Sequence, residues 1–176
     1  MPCAIRRLYP SEAKSRINEL ADILLDCVAG GASVSFMADM TREDALSFWG
    51  KVTEGVESGA RILIVAEQEG QLIGTVQVVA SGIPNQPHRS DLSKMLVHRE
   101  GRGKGVGAAL LKEAERQSQE HGWWLMVLDT VTDSDGDRLY RRGGWLPVGT
   151  IPNYALWPDG RPCPTTYYYK DLRTAR

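Results

Sequence analysis

The sequence is poor in cysteine and histidine, has only two phenylalanines, and lacks both a long apolar run and a surplus of charge. Each shortage excludes something. Cys3, Cys27 and Cys163 are odd in number, far apart and form no CxxC pair. That excludes a disulfide framework or a cysteine zinc site and leaves reduced thiols in a cytoplasmic protein as the expectation. The histidines at 88, 98 and 121 do not cluster, so no metal is expected. No stretch approaches the roughly 18 apolar residues of a membrane helix, and the opening residues lack the apolar segment of a signal peptide, so no membrane role is expected. With 21 Lys+Arg against 22 Asp+Glu the net charge is −1, without the basic surplus that gripping a nucleic-acid backbone requires.

What is there suits one α/β domain spanning residues 1–176. The composition, 42% hydrophobic and 24% charged, is that of a globular chain able to bury a core, with no repeat, low-complexity tract or linker. Residues 5–8 suit an edge strand. Ile17, Leu20, Leu24 and Val28 recur at helical spacing between Ser11 and Gly30, and a second helix starts at Thr41 as N-cap with Asp44 three residues on. The intervening residues 32–40 form an apolar loop. Residues 61–67 and 72–80, around the Glu69-Gly70 turn, predict a β-hairpin. A strand at 92–97, a helix to about 120, a strand at 123–128, a short helix at 138–142 and strands at 145–149 and 166–171 complete the expectation.

The strongest chemical signal is Val97-His-Arg-Glu-Gly-Arg-Gly-Lys-Gly-Val-Gly107, between a strand and a helix. Glycines here leave backbone N–H groups uncovered at a helix N-terminus, a natural seat for phosphate, and Arg99, Arg102 and Lys104 add positive charge. A P-loop is disfavoured because Gly105, not Ser or Thr, follows Lys104. Gly103-x-Gly105-x-x-Ala108 fits a dinucleotide fingerprint, but Trp123 and Trp124 fall where that fold needs an acidic residue. A merely tight strand-to-helix turn and the Arg-x-x-Gly-x-Gly pyrophosphate motif of acetyltransferases remain.

The order of elements resembles that of the GNAT superfamily of N-acetyltransferases over nearly the whole length. Arg138-Leu-Tyr-Arg-Arg-Gly-Gly-Trp145 is similar to the second signature of that family, with Leu139 and Trp145 in place of its usual phenylalanines. The segments 30–39, 128–130, 158–161 and 164–167 resemble those of the tabtoxin resistance acetyltransferases, which acetylate the amino group of an amino-acid-like toxin. The resemblance implies a GNAT-type acyltransferase fold, with a central mixed sheet of six or seven strands flanked by about four helices. It also implies acetyl-CoA as cosubstrate and direct transfer to the amine of a small molecule, such as a toxin or antibiotic. A peptide or protein amine and a non-catalytic acyl-CoA sensor are the alternatives, and a homodimer is compatible with the family.

The same resemblance distributes roles. Met95, Leu96 and Val97 would meet the pantetheine and thioester through their backbone, and Arg102, Gly103, Lys104, Gly105, Val106 and Gly107 would hold the pyrophosphate. Tyr140 would protonate the departing thiolate, since a phenol with a pKa of about 10 is still protonated at neutral pH. A packed helix aromatic is the bland alternative for Tyr140. Asp129, at the end of an apolar strand, would accept the amine's proton or hold the ammonium, a turn or cap aspartate being the alternative. Asp133, Asp135 and Asp137 crowd the next loop, mostly as solvated turn residues that would favour a cationic acceptor. Phe36, Met37, Tyr154, Trp157 and Tyr167 would line the acceptor pocket unless they are hydrophobic plugs. Cys163 has no evident base beside it, which disfavours an acyl-cysteine route.

Overall fold

The computed structural model describes residues 3–173. Seven strands form one mixed sheet in the order β1-β2-β3-β4-β5-β7-β6. They are β1 (Ala4–Leu8), β2 (Arg61–Gln68), β3 (Gln71–Ala80), β4 (Arg89–Val97), β5 (Leu125–Val131), β6 (Leu146–Leu156) and β7 (Pro162–Asp171). Every neighbouring pair is antiparallel except β4 and β5. Five helices flank the sheet: α1 (Pro10–Ser15), α2 (Ile17–Ala29), α3 (Arg42–Glu57), α4 (Val106–Glu120) and α5 (Asp135–Arg142).

Period-two alternation assigns the faces. On β2, Ile62, Ile64 and Ala66 join Val106, Leu110 and Leu111 of α4, whereas Leu63 and Val65 join Leu24, Trp49 and Val52 of α2 and α3. Both faces are therefore buried, which is why residues 62–66 read as a continuous apolar run. Trp49 is wholly buried, so its truncation to alanine costs about 3–5 kcal/mol. The helix at Thr41 starts as expected: the Thr41 hydroxyl accepts from the Asp44 N–H and the Asp44 carboxylate accepts from the Thr41 N–H.

Several expectations need correction. The first helix is two, broken at Arg16, whose guanidinium is drawn to Glu19 and to the Gly70 carbonyl in the β2–β3 turn. Strand β5 runs three residues past Leu128, so Asp129 is neither a strand end nor a cap. It pairs opposite Tyr167, and Ser134 caps α5 instead. The last two strands are longer than expected because they pair with each other as a hairpin beyond the apolar segments that mark them. Among the three loop acids, Asp137 is not solvated. It is 1% exposed and accepts hydrogen bonds from the Tyr168 hydroxyl, the Arg141 side chain and the Asp133 N–H.

Candidate active site

The parallel pair β4 and β5 is joined only at its beginning, where Arg89, Ser90 and Asp91 pair with Leu125, Met126 and Val127. Beyond that register the two strands part, while β4 stays bound to β3 through Leu96 and Val97, and β5 stays bound to β7 through Val131. The result is a gap in the sheet bordered on one side by residues 92–97 and on the other by residues 128–131. This places Met95, Leu96 and Val97 on one rim and Asp129 on the other. The Val97 carbonyl already accepts from the Arg102 Nε at 3.0 Å and from the Cys27 thiol at 3.5 Å.

The glycine turn sits at the end of the β4 rim. Gly103 and Gly105 have φ of 73° and 79°, in the left-handed region that only glycine enters without strain. A Cβ on either would meet nothing within 4 Å, so these glycines open a space instead of filling one. Gly105 is the N-cap of α4, no side chain caps the helix, and its first turn carries no acidic residue. Uncapped N–H groups, the positive end of the helix dipole and open space together fit a pyrophosphate. Gly107 does something different: a Cβ there would press on Leu139 at 3.3 Å, so it lets α4 pack against α5.

The basic residues of this turn are not equivalent. Asp26 of α2, with its side chain 7% exposed, accepts from the backbone N–H of Arg99 at 2.9 Å and from its guanidinium. The Arg102 guanidinium lies 3.7 Å from it, as does the His98 ring. Burial pushes the Asp26 carboxyl up, but the Arg99 hydrogen bonds and the His98 and Arg99 charges outweigh it and hold the pKa below the usual range. Thus Asp26 ties α2 to the glycine turn and offsets part of its charge. Lys104 has no such partner among the described residues.

Tyr140 is packed and open at once. Its ring is 5% exposed and lies 5.9 Å from that of Trp145 and 6.4 Å from that of Tyr168, so the packed-aromatic reading is correct for the ring. Among the described residues no protein group hydrogen-bonds its hydroxyl, and that oxygen is not sealed in the interior. It therefore reaches accessible space. Burial, and secondarily the negative charge of Asp129, raise its pKa well above that of a free phenol, which keeps the proton available for donation. Trp145 is fixed by its Nε1, which donates to Glu115 at 2.8 Å.

Asp129 has an open face but is crowded enough that desolvation raises its carboxyl above the usual range. The Lys94 charge opposes the rise and Asp91 adds to it. Lys94 carries no signal in the sequence reading, yet it faces the same gap. It stands at an irregularity in the β3–β4 pairing with φ of 50°. Its Nζ donates to Ser35 Oγ at 2.9 Å and lies 5.8 Å from the centre of the Phe48 ring. Tyr167 shares the face of Asp129 by register, and its hydroxyl donates to that of Tyr154 at 2.5 Å.

The expected acceptor residues fall into separate places. Phe36 packs edge-on against Phe48 with centroids 5.3 Å apart. With Met37 and Lys51 it lines a groove of about 400 Å³. Tyr154 lies with Tyr167 on the β6–β7 side. Trp157 lines a different depression, of about 390 Å³, with Val28, Ala38 and Arg161, so it does not share the groove of Phe36. Two of the loop acids are spent, Asp135 pairing with Arg138 and Asp137 with Arg141, while Asp129 and Asp133 have no ion pair among the described residues.

Residues 59–145 match the acetyltransferase (GNAT) domain family. Among solved structures, an N-acetyltransferase from Staphylococcus aureus Mu50 superposes with a TM-score of 0.80 at 17% identity, over 98% of this chain and 99% of that one. A Salmonella typhimurium protein assigned as an acetyltransferase and solved with its cofactor acetyl-CoA gives 0.78 at 18% identity, over 98% and 95%. A ribosomal-protein-alanine N-acetyltransferase from Brucella melitensis gives 0.77 at 22% identity, over 96% and 99%. Among the described residues no helix is long and apolar enough to cross a membrane. Residues 59–145 thus carry the match to the acetyltransferase (GNAT) domain, within a chain that has the fold of these acetyltransferases.

Proposed function

We propose that the protein, working as one domain, transfers the acetyl group of acetyl-CoA directly to the amino group of a small molecule in the gap between β4 and β5. The observation that carries this reading is the gap itself, with an uncapped helix N-terminus at one end and an Asp129 carboxylate whose charge is felt at Tyr140. The backbone of Gly103, Gly105 and Val106 would hold the pyrophosphate, Lys104 would add charge, and the β4 rim at Met95–Val97 would lie along the pantetheine. Acetyl-CoA supplies an activated acetyl group. Asp129 holds the ammonium and accepts its proton, which a raised pKa makes easier than for an ordinary aspartate. Tyr140 donates its proton to the departing sulfur.

An amino-acid-like toxin or antibiotic is the finer form of the reading, supported by the resemblance of residues 30–39 and 158–161 to toxin-acetylating enzymes. The test is acetyl-CoA consumption across amino acids, aminoglycosides, polyamines and peptides, with calorimetry of acetyl-CoA binding alongside. Acceptor-dependent thiol release is expected. Binding without such release for any amine would contradict acetyl transfer, and absence of binding would contradict the phosphate turn.

A further inference from the structure

We propose that Lys94 is the anion-binding residue of the acceptor site: its ammonium takes a carboxylate or similar anionic group of the acceptor, while Asp129 across the gap takes the amine. The proposal rests on the acetyl-transfer reading and adds to it the charge pattern of the substrate, a zwitterion in place of a simple amine.

The backbone is irregular at this residue. In an uninterrupted strand Leu92 and Leu96, four residues apart, would share a face. Instead Leu92 packs with the α4 cluster and Leu96 with the α2–α3 cluster. The irregularity between them turns Lys94 toward the loop of Ser35 and the ring of Phe48. Lys94 adopts φ of 50°, which an L-residue holds only against strain, and such strain gathers at binding sites.

The charges of the gap are then left unmatched. Among the described residues Lys94 has one neutral hydrogen-bond partner and no carboxylate within 4.0 Å, and Asp129 has no cation within that distance. Each nevertheless feels the other electrostatically. Lys14 and Lys170 are paired, with Glu57 at 2.7 Å and Glu115 at 2.8 Å; Lys94 differs from the other unpaired lysines in being held at an irregular strand position beside the gap. A half-buried ammonium with free donors, set apart from a carboxylate on the opposite rim, is matched by a ligand carrying the opposite charge at each end. Desolvation lowers the pKa of Lys94, with Arg61 contributing and Asp129 opposing. A bound anion would relieve that penalty.

The experiment compares kcat and KM for a panel of free amino acids with those for their primary amides, which keep the amine and lose the anion. Wild type, Lys94→Gln and Lys94→Arg are assayed. Wild type is expected to prefer the acids by about tenfold or more, through KM. Lys94→Gln should erase the preference and Lys94→Arg keep part of it, with acetyl-CoA affinity unchanged. A loss confined to kcat, equal for acids and amides, would assign Lys94 to proton transfer and overturn the proposal.

A second readout does not require turnover. N-acetyl amino acids and their amides are titrated against protein with isotope-labelled lysine side chains, the Lys94 signal being assigned from Lys94→Gln. The acids should shift it and the amides should not. Equal shifts, or no shift with any acid, would refute the anion site. Absence of turnover with any amine would instead count against acetyl transfer, so the two failures are distinguishable.

Discussion

Gly105 and Gly122 form a matched pair for testing the phosphate turn. Both have φ of 79°, and a Cβ on either meets nothing within 4 Å. Alanine at each position therefore brings the same backbone strain, about 1–2 kcal/mol, and no steric clash. At this chain length that lowers Tm by roughly 2–8 °C. The two differ in where the methyl group projects: Gly105 caps the start of α4, whereas Gly122 follows its end. At Gly105 the methyl enters the space over the free N–H groups. Losing one charge-assisted hydrogen bond there costs about 1.5–3 kcal/mol, or roughly 10- to 150-fold in acetyl-CoA affinity. Scanning calorimetry should give equal Tm losses for Gly105→Ala and Gly122→Ala, and titration calorimetry should show weakened binding only for Gly105→Ala. Equal affinities for acetyl-CoA would refute the turn as its phosphate seat.

Other outcomes follow from single side chains. Tyr140→Phe should lower kcat by about 10²-fold or more while changing stability by less than about 0.5 kcal/mol, because the hydroxyl has no protein partner; a stability scan and steady-state kinetics check both halves. Asp129 has a raised pKa in the folded state, so kcat/KM should fall with decreasing pH at a midpoint above the usual aspartate range, and Asp129→Asn should abolish that limb. A raised folded pKa means the ionised carboxylate is disfavoured by the fold, so the variant should also be more stable than wild type above that midpoint. Asp26 has the opposite sign: its lowered pKa contributes stability above about pH 4 that is lost as pH falls through the folded value. Acid unfolding of Asp26→Asn should accordingly show a weaker pH dependence than that of wild type.

Much of the fold was legible because local signals agreed. The Thr41 and Asp44 capping pair, the Glu69-Gly70 hairpin turn and the glycine run before α4 each specify an element within a few residues. The break at Arg16 was not legible, since it depends on a carbonyl in the β2–β3 turn, far along the chain. The extent of β6 and β7 was equally hidden, because edge pairing and not apolar pattern sets it.

In the site, the glycines precede α4 and Tyr140 lies on the short helix α5, as the local pattern predicts, whereas Asp129 lies within β5 and not at its end. Lys94 was missed because a lysine in a strand reads as a solvent-facing alternation. The available clue was the misfit of Leu92 with Met95, Leu96 and Val97 to a period of two. Asp26 was missed, and Asp137 was grouped with mostly solvated turn acids, because their partners, Arg99 and Tyr168, are distant in sequence. The basic turn and the acidic loop, which sequence makes into opposite charge clusters, are partly offset by local ion pairs, Asp26 with Arg99 in the one and Asp135 and Asp137 with Arg138 and Arg141 in the other.

The central claim, acetyl transfer from acetyl-CoA to an amine in the β4–β5 gap, is tested most directly by mass spectrometry of acceptor amines incubated with acetyl-CoA and either wild type or Tyr140→Phe. The account predicts an acceptor acetylated on nitrogen by wild type, with one thiol released per acetyl transferred, and a much slower appearance of the same product with the variant. Thiol release without an acetylated amine, or equal rates for the two proteins, would contradict it.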